Sequence, residues 1–326
     1  MQATKSLLDF IVIGAQKAGT TSLFEYLRRH PELCLPSDKE APYFSHDSVH
    51  ARGWEDYIKR VAFADPACKW GTVTPHYMVG AAYESSIGCG YDEHTVPLRI
   101  KERLPTVRLV AILRDPVERA RSHHLMASMN GLERRPFDEA IEELLQPGSL
   151  LRDRQSPSED AGYVVWGEYG RILSGYFDVF PAEQILIVFT DELNAAPERL
   201  LHRVHEFIGV TPDIMPDNLG TRYREGSATR RFLGVDAYAA QGAVRRNRVT
   251  RFVWHALPEA SRLWADRGFT HLAYRADLLN RRNGCDPEEP AASTLTRLRD
   301  HFARDSDLLA TLLGDTPPWQ QSEASA

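Results

Sequence analysis

Short apolar runs alternate with longer stretches of helical period along the first two-thirds of the chain. Phe10 to Ile13, Val107 to Leu113 and Gln184 to Phe189 are rich in apolar and β-branched residues and bounded by turn residues, the pattern of buried strands. A helical segment follows each: Thr20 to Arg29, Pro116 to Asn130 and Pro197 to Ile208. A weaker strand is expected from Lys69 to Val73. Near-continuous apolar strands belong to parallel sheets, because helices cover both faces. The pattern therefore predicts an α/β fold, a parallel sheet flanked by helices. Beyond about residue 212 the strand signal fades and a helical C-terminal portion is expected. There Leu295, Leu298, Phe302, Leu308, Leu309, Leu312 and Leu313 form two apolar stripes, broken around Arg304 to Ser306 and ended by Gly314.

Composition narrows the class. With 326 residues, 43% hydrophobic and 26% charged, the chain can bury a sizeable core. It is read as a single domain over 1–320 with a flexible tail over 321–326. The net charge of −6 argues against a protein that coats itself in nucleic acid, so any anion site must be local. Four scattered cysteines, Cys34, Cys68, Cys89 and Cys285, give neither a disulfide framework nor a zinc motif, and no metal site is expected. The apolar runs are far shorter than the roughly 20 residues a membrane helix needs. Lys17, Glu25, Arg28 and Arg29 follow the first run too closely for a signal peptide. A cytoplasmic protein without membrane insertion is the expectation.

The first strand runs straight into Gly14-Ala-Gln16-Lys17-Ala18-Gly19-Thr20-Thr21-Ser22 and then a helix. A glycine-bearing turn at that place lets backbone N–H groups and the positive helix end converge on an anion, and the three hydroxyls add donors. The nucleotide-triphosphatase loop has lysine after its second glycine. Here Thr20 stands in that place and Lys17 lies inside the loop. Arg114-Asp115-Pro116 leaves the central strand in the same way. Asp115 is suited to cap the helix and Pro116 to its first position. Arg114 then emerges at the carboxyl edge of the sheet, where open α/β sheets bind ligands, with Ser122 about two helical turns farther on.

The string GAQKAGTTSL resembles the 5′-phosphosulfate loop of sulfotransferases that use 3′-phosphoadenylyl sulfate (PAPS) and release 3′-phosphoadenosine 5′-phosphate (PAP). The resemblance gives Lys17 the bridge between phosphate and sulfuryl group, and gives Gly14, Gln16, Ala18, Gly19, Thr20, Thr21 and Ser22 the rest of that pocket. The Arg114–Ser122 pair within RDPVERARSH resembles the family's 3′-phosphate site. Ser37-Asp-Lys39-Glu40-Ala41-Pro-Tyr-Phe44 is similar to the KEPHYF-type segment of heparan-sulfate sulfotransferases, whose glutamate takes the acceptor's proton; here Ala41 is inserted before the proline. Thr74-Pro-His76-Tyr77 is similar to a TPxY segment near the acceptor pocket. The nearest branches are the heparan-sulfate-type and bacterial enzymes.

An alcohol barely ionises at neutral pH, so its attack on sulfur requires a base. Glu40 and His76 are the two candidates, with Lys39 beside the leaving phosphate and Thr74 or Tyr77 lining the pocket. The expected activity is in-line sulfuryl transfer from PAPS to a hydroxyl, or secondarily an amine, of a small molecule, sugar, lipid or glycan. A transferring sulfuryl group carries less charge than a phosphoryl group, so lysines and backbone donors suffice without a metal. The alternatives are a P-loop small-molecule kinase, which Lys17's position disfavours, and a non-catalytic module that binds the same 3′-phosphorylated nucleotide. Acceptor identity and oligomeric state stay open. An arginine-rich stretch from Arg222 to Arg251 offers a further anion contact.

Overall fold

The computed structural model describes residues 8–36, 39–61, 67–80, 93–130, 132–221, 223, 229–230, 281–282 and 289–323. Most of the arginine-rich stretch, and Cys89 and Cys285, lie outside these residues. The chain forms two compact units. One comprises Met1–His124, Arg134–Arg224 and Pro290–Ala326; the other comprises Leu125–Glu133 and Glu225–Glu289. In the second, β6 (Thr229–Arg230) and β7 (Arg281–Arg282) pair antiparallel, a short ladder that the sequence pattern did not signal.

The first unit is built on a five-stranded sheet in the order β2-β3-β1-β4-β5, with every pair parallel. Its strands are β1 (Phe10–Gly14), β2 (Leu33–Cys34), β3 (Lys69–Val73), β4 (Arg108–Leu113) and β5 (Ile185–Phe189). The predicted α/β class is what the structure shows. β1 is buried along its whole length, and only Arg108, the first residue of β4, is exposed. Both strands therefore have apolar residues on both faces, as a covered parallel sheet demands.

Helices α1 (Thr20–Leu27), α4 (Thr95–Arg103), α5 (Pro116–Met129), α8 (Tyr169–Val179), α9 (Thr190–Ala195) and α10 (Pro197–Ile208) connect or flank the strands. The shorter α2 (Asp47–His50), α3 (Trp54–Val61), α6 (Phe137–Leu144) and α7 (Pro147–Gln155) lie in the connections. At the start of α5, Asp115 Oδ1 accepts the N–H groups of Val117 (2.7 Å) and Glu118 (3.0 Å), the cap expected from the sequence. α10 ends at Gly209, whose φ of 87° is the left-handed turn that closes many helices.

The C-terminal stripes differ from expectation. They belong to one helix, α11 (Ala292–Leu313), unbroken at 304–306, followed by the short α12 (Pro318–Glu323). The polar residues that suggested a break are used inward. Asp305 accepts the N–H groups of Gly170 and Arg171, both at 2.8 Å, and so caps α8 from another helix. Ser306 accepts the indole N–H of Trp319 at 3.1 Å. α8 and α11 approach so closely that a Cβ on Gly170 would lie 2.3 Å from the Asp305 carbonyl oxygen. Beside this contact, buried Glu168 receives Arg154 Nη2 (2.6 Å), Arg171 Nε (2.7 Å) and His301 Nε2 (3.0 Å). Among the described residues no helix is long and apolar enough to cross a membrane.

Candidate active site

The chain leaves β1 at its carboxyl end and turns into α1. Lys17 (φ 68°) and Gly19 (φ 99°) both adopt left-handed backbone, which folds the loop tightly over the strand end. Gly19 is the N-cap of α1 and has no side chain to cap the first turn, so the positive helix end faces outward. Ala15 N–H donates to the Ile112 carbonyl of β4 at 2.7 Å. The Thr190 hydroxyl lies within hydrogen-bond distance of the carbonyls of Ala18 (2.6 Å) and Leu113 (3.0 Å). Loop and β4 thus end at one edge of the sheet, tied by a side chain from α9.

Arg114 follows directly on β4 and shares that edge. Its Nη2 lies 3.3 Å from Glu118 Oε2, and Glu118 Oε1 accepts Arg121 Nη1 at 3.0 Å. The Arg114 and Glu118 side chains are 31% and 44% exposed, so an incoming phosphate can compete for this guanidinium. Ser122 lies half-buried on α5. Ser22 turns into the body of the protein, where it is buried and its Oγ accepts Tyr223 N–H at 3.1 Å. Thr20 and Thr21 are the loop hydroxyls that meet a cation.

That cation is Lys39. Its Nζ reaches Thr20 Oγ1 at 3.2 Å, Thr21 Oγ1 at 3.4 Å and Glu40 Oε1 at 3.4 Å. One ammonium therefore connects the anion loop to the candidate base. The segment carrying Glu40 is held through the residue inserted into its motif. Ala41 N–H donates to Thr74 Oγ1 at 3.1 Å, and the Tyr77 hydroxyl donates to the Ala41 carbonyl. Tyr176 in turn donates to the Tyr77 carbonyl at 2.6 Å. Thr74 and Tyr77, expected to line a pocket, are 0% and 1% exposed. They fix backbone, and so fix where Glu40 starts.

His76 stands on the short 3₁₀ turn Pro75–Met78 after β3, between two carboxylates. Nε2 is 2.7 Å from Glu159 Oε1, and Nδ1 is 3.4 Å from Glu40 Oε2. Burial pulls the imidazole pKa down, but the hydrogen bonds it donates to Glu159 and Glu40 outweigh it and raise it to about 9. Burial likewise opposes ionisation of Glu159. The hydrogen bonds it receives from His123, His76 and Gln16 overcome this and hold it well below the ordinary carboxylate range. His123 is fully buried, with its pKa lowered to about 4 by desolvation, and stacks on Trp166 with centroids 4.9 Å apart.

Of the residues singled out in the sequence, the structure brings Gln16, Thr20, Thr21, Lys39, Glu40 and His76 into one connected cluster. Glu159 was not foreseen. It sits in the polar connection between α7 and α8, 83 residues from His76 and 143 from Gln16, and nothing in its local pattern marks it. Among the described residues no group of three or more His, Cys, Asp or Glu side chains could hold a metal ion.

The profile of the family described as "Sulfotransferase domain" matches residues 7–223. Heparan sulfate glucosamine 3-O-sulfotransferase 5 of Mus musculus is 28% identical over 224 residues, which are 68% of this chain and 59% of that protein. Bifunctional heparan sulfate N-deacetylase/N-sulfotransferase 3 of Homo sapiens is 30% identical over 218 residues, 63% of this chain and 23% of that protein. The chain thus matches only part of each relative's length. Among solved structures, a sulfotransferase from Alicyclobacillus acidocaldarius aligns with a TM-score of 0.63 at 19% identity, covering 95% of this chain and 97% of that one. The glycine loop after β1 and the parallel sheet beneath it lie within the matched residues, and this chain belongs to the sulfotransferase domain family.

Proposed function

We propose that the protein transfers a sulfuryl group from PAPS to an acceptor hydroxyl, with an amine as the second acceptor class. The observation that carries this reading is the Lys39 ammonium, which touches the loop hydroxyls of Thr20 and Thr21 on one side and Glu40 on the other. Around the loop lie two lysines, Lys17 within it and Lys39 against it, with two threonine hydroxyls and a helix N-terminus. That set suits the phosphate end of an anionic nucleotide.

Bound there, PAPS would supply a sulfur activated by a phosphate leaving group. Lys17, Lys39 and the first turn of α1 would hold the negative charge on that phosphate, and Arg114 with Ser122 would hold the 3′-phosphate. Glu40, 40% exposed, has one oxygen beside Lys39 and the other beside His76. It removes the acceptor's proton as the acceptor oxygen attacks in line. Carboxylates at both ring nitrogens favour the protonated form of His76, which supports Glu40 as the base.

The relatives' names include both a 3-O- and an N-sulfotransferase of heparan sulfate, which supports a sugar hydroxyl or amine as acceptor. Calorimetry with PAP, and with adenosine 5′-phosphate as control, tests the donor. The expected result is PAP binding at least about 100-fold tighter, since one charge-assisted phosphate site contributes on the order of 3 kcal/mol. Equal affinities would remove the 3′-phosphate site. Transfer of radiolabelled sulfate to glucosamine-containing oligosaccharides in excess EDTA tests the chemistry. Loss of transfer on chelation would favour the kinase-like alternative, and PAP binding with no transfer to any acceptor would favour the binding module.

A further inference from the structure

We propose that Glu159 is a positioning residue that holds His76 as an imidazolium against Glu40, so that His76 orients the base and does not compete with it. The inference rests on the reading of Glu40 as the base. The geometry is that of an imidazole with a carboxylate oxygen at each nitrogen: Glu159 at 2.7 Å from Nε2 and Glu40 at 3.4 Å from Nδ1. A neutral ring carries one N–H and would leave a lone pair facing one of the two carboxylates. Only the doubly protonated ring serves both.

The surroundings of Glu159 fix its charge independently. Gln16 Nε2 lies 3.1 and 3.0 Å from its two oxygens, and an amide nitrogen can only donate. His123 Nε2 lies 3.3 Å from Oε2. Arg119, fully buried, places Nη1 3.2 Å from His123 Nδ1; a guanidinium has no acceptor, so Nδ1 must accept and Nε2 carries the proton toward Glu159. Arg119 is itself held by the carbonyls of Gly162 (3.1 Å) and Tyr163. Gln16 donates to both oxygens of Glu159 and the His123 Nε2–H lies beside one of them, so Glu159 is the anion of the group.

The other groups facing His76 do not offer a competing proton acceptor of that strength. The rings of His46 and Trp166 meet it edge-on at 5.9 and 6.3 Å, and Lys39 faces it across Glu40. Lys17 acts on the cluster from the His123 side. The chain Arg119–His123–Glu159–His76–Glu40 thus runs from a buried cation to the base. Through Gln16 it also touches the donor loop. Oriented in this way, one oxygen of Glu40 is occupied by an imidazolium and one by Lys39, which restricts the rotation of an otherwise half-exposed carboxylate.

The test is the protonation state of His76, read by heteronuclear NMR of the ring nitrogens in the full-length protein, with His76→Gln to assign the signal. In the wild type both nitrogens should stay protonated through pH 8. In Glu159→Gln the ring should titrate near its ordinary value of about 6.5. Turnover in Glu159→Gln should fall about a hundredfold, with KM for PAPS within threefold, and Glu159→Asp should recover part of it. A wild-type ring that titrates near 6.5 overturns the inference without any variant having to fold, and leaves the role of Glu40 untouched. If instead Glu40→Gln keeps full turnover while His76 behaves as expected, the reading of Glu40 falls and the imidazolium stands.

Discussion

Lys39 Nζ lies 3.2 Å from Thr20 Oγ1 and belongs to a segment nineteen residues farther along the chain. Thr20 opens α1 at the end of β1, and Lys39 directly precedes the candidate base. A single ammonium therefore sets the separation between the loop that would hold the leaving phosphate and the carboxylate that would receive the proton. Its charge lies between the two, with the loop hydroxyls on one side and the Glu40 carboxylate on the other.

Replacing this ammonium with an unbranched apolar side chain removes both contacts at once. Lys39→Met should lower kcat by about 10²- to 10³-fold, the range for loss of one electrostatic contact to developing charge. Lys17→Ala should do at least as much, since its loop position faces the same phosphate. Steady-state sulfate transfer together with circular dichroism checks both. Unchanged kcat in a folded Lys39→Met protein would remove this lysine from the mechanism.

Thr74 offers a test of positioning through backbone alone. Its hydroxyl accepts the Ala41 N–H at 3.1 Å in a fully buried setting. Thr74→Val keeps the shape and strands that N–H, at a cost of about 1–3 kcal/mol in stability. The Glu40 segment then keeps the Tyr77 hydroxyl and the side-chain contacts of Lys39 and Glu40, but loses its tie to Thr74. The expected outcome is a lower thermal midpoint and a kcat reduced about tenfold or more, with PAPS affinity unchanged. A variant as active as the wild type would show that Glu40 is directed by its own side-chain partners.

The parallel sheet, the loop after β1 and the cap at Asp115 were all legible because each is a local signal: an apolar run, a glycine turn, an acidic residue before proline. Glu40 and His76 were legible as candidates but not as a pair with defined roles. The proposed choice between them rests on Glu159, whose carboxylate is brought to His76 by the α7–α8 connection. Long-range polar partners leave no periodicity, since one carboxylate in a Ser-Pro-Ser-Glu-Asp loop reads as a solvated charge. The break foreseen at Arg304 to Ser306 failed for the same reason. Asp305 and Ser306 look like helix breakers until α8 and Trp319 are found against them.

Arg114 is expected to read the 3′-phosphate. Its present partner, Glu118, is 44% exposed and 3.3 Å away, a surface pair of about 0–1 kcal/mol that a phosphate dianion displaces easily. Arg114→Ala should weaken PAP binding by about 10- to 100-fold while leaving adenosine 5′-phosphate affinity nearly unchanged, because a hydrogen bond to a charged group contributes roughly 1.5–3 kcal/mol. Calorimetry with both ligands gives the two affinities directly. Equal losses for both would mean that Arg114 acts on the 5′ end or on the fold.

The Glu168 cluster sets a pH dependence of stability separate from catalysis. Burial opposes ionisation of Glu168, but hydrogen bonds from His301 and Arg154 and the charge of Arg171 prevail, lowering its pKa to about 2 from an ordinary 4.5. A carboxylate with a depressed folded-state pKa contributes stability above its unfolded value and loses it as the pH falls toward 2. The size is on the order of 3 kcal/mol, and about half is gone by pH 3. Asp305 acts with the opposite sign, since burial raises its pKa to about 6 from 3.8. The native state then binds its proton more readily than the unfolded chain, and stability falls as the pH rises between those values. Glu168→Gln should therefore destabilise by about 3 kcal/mol at pH 7 and by roughly half that at pH 3, while Asp305→Asn should flatten the slope between pH 4 and 6. Urea midpoints measured at pH 3, 5 and 7 distinguish the two. A Glu168→Gln deficit equal at pH 3 and pH 7 would show that the loss is one of packing, with no proton linked to it.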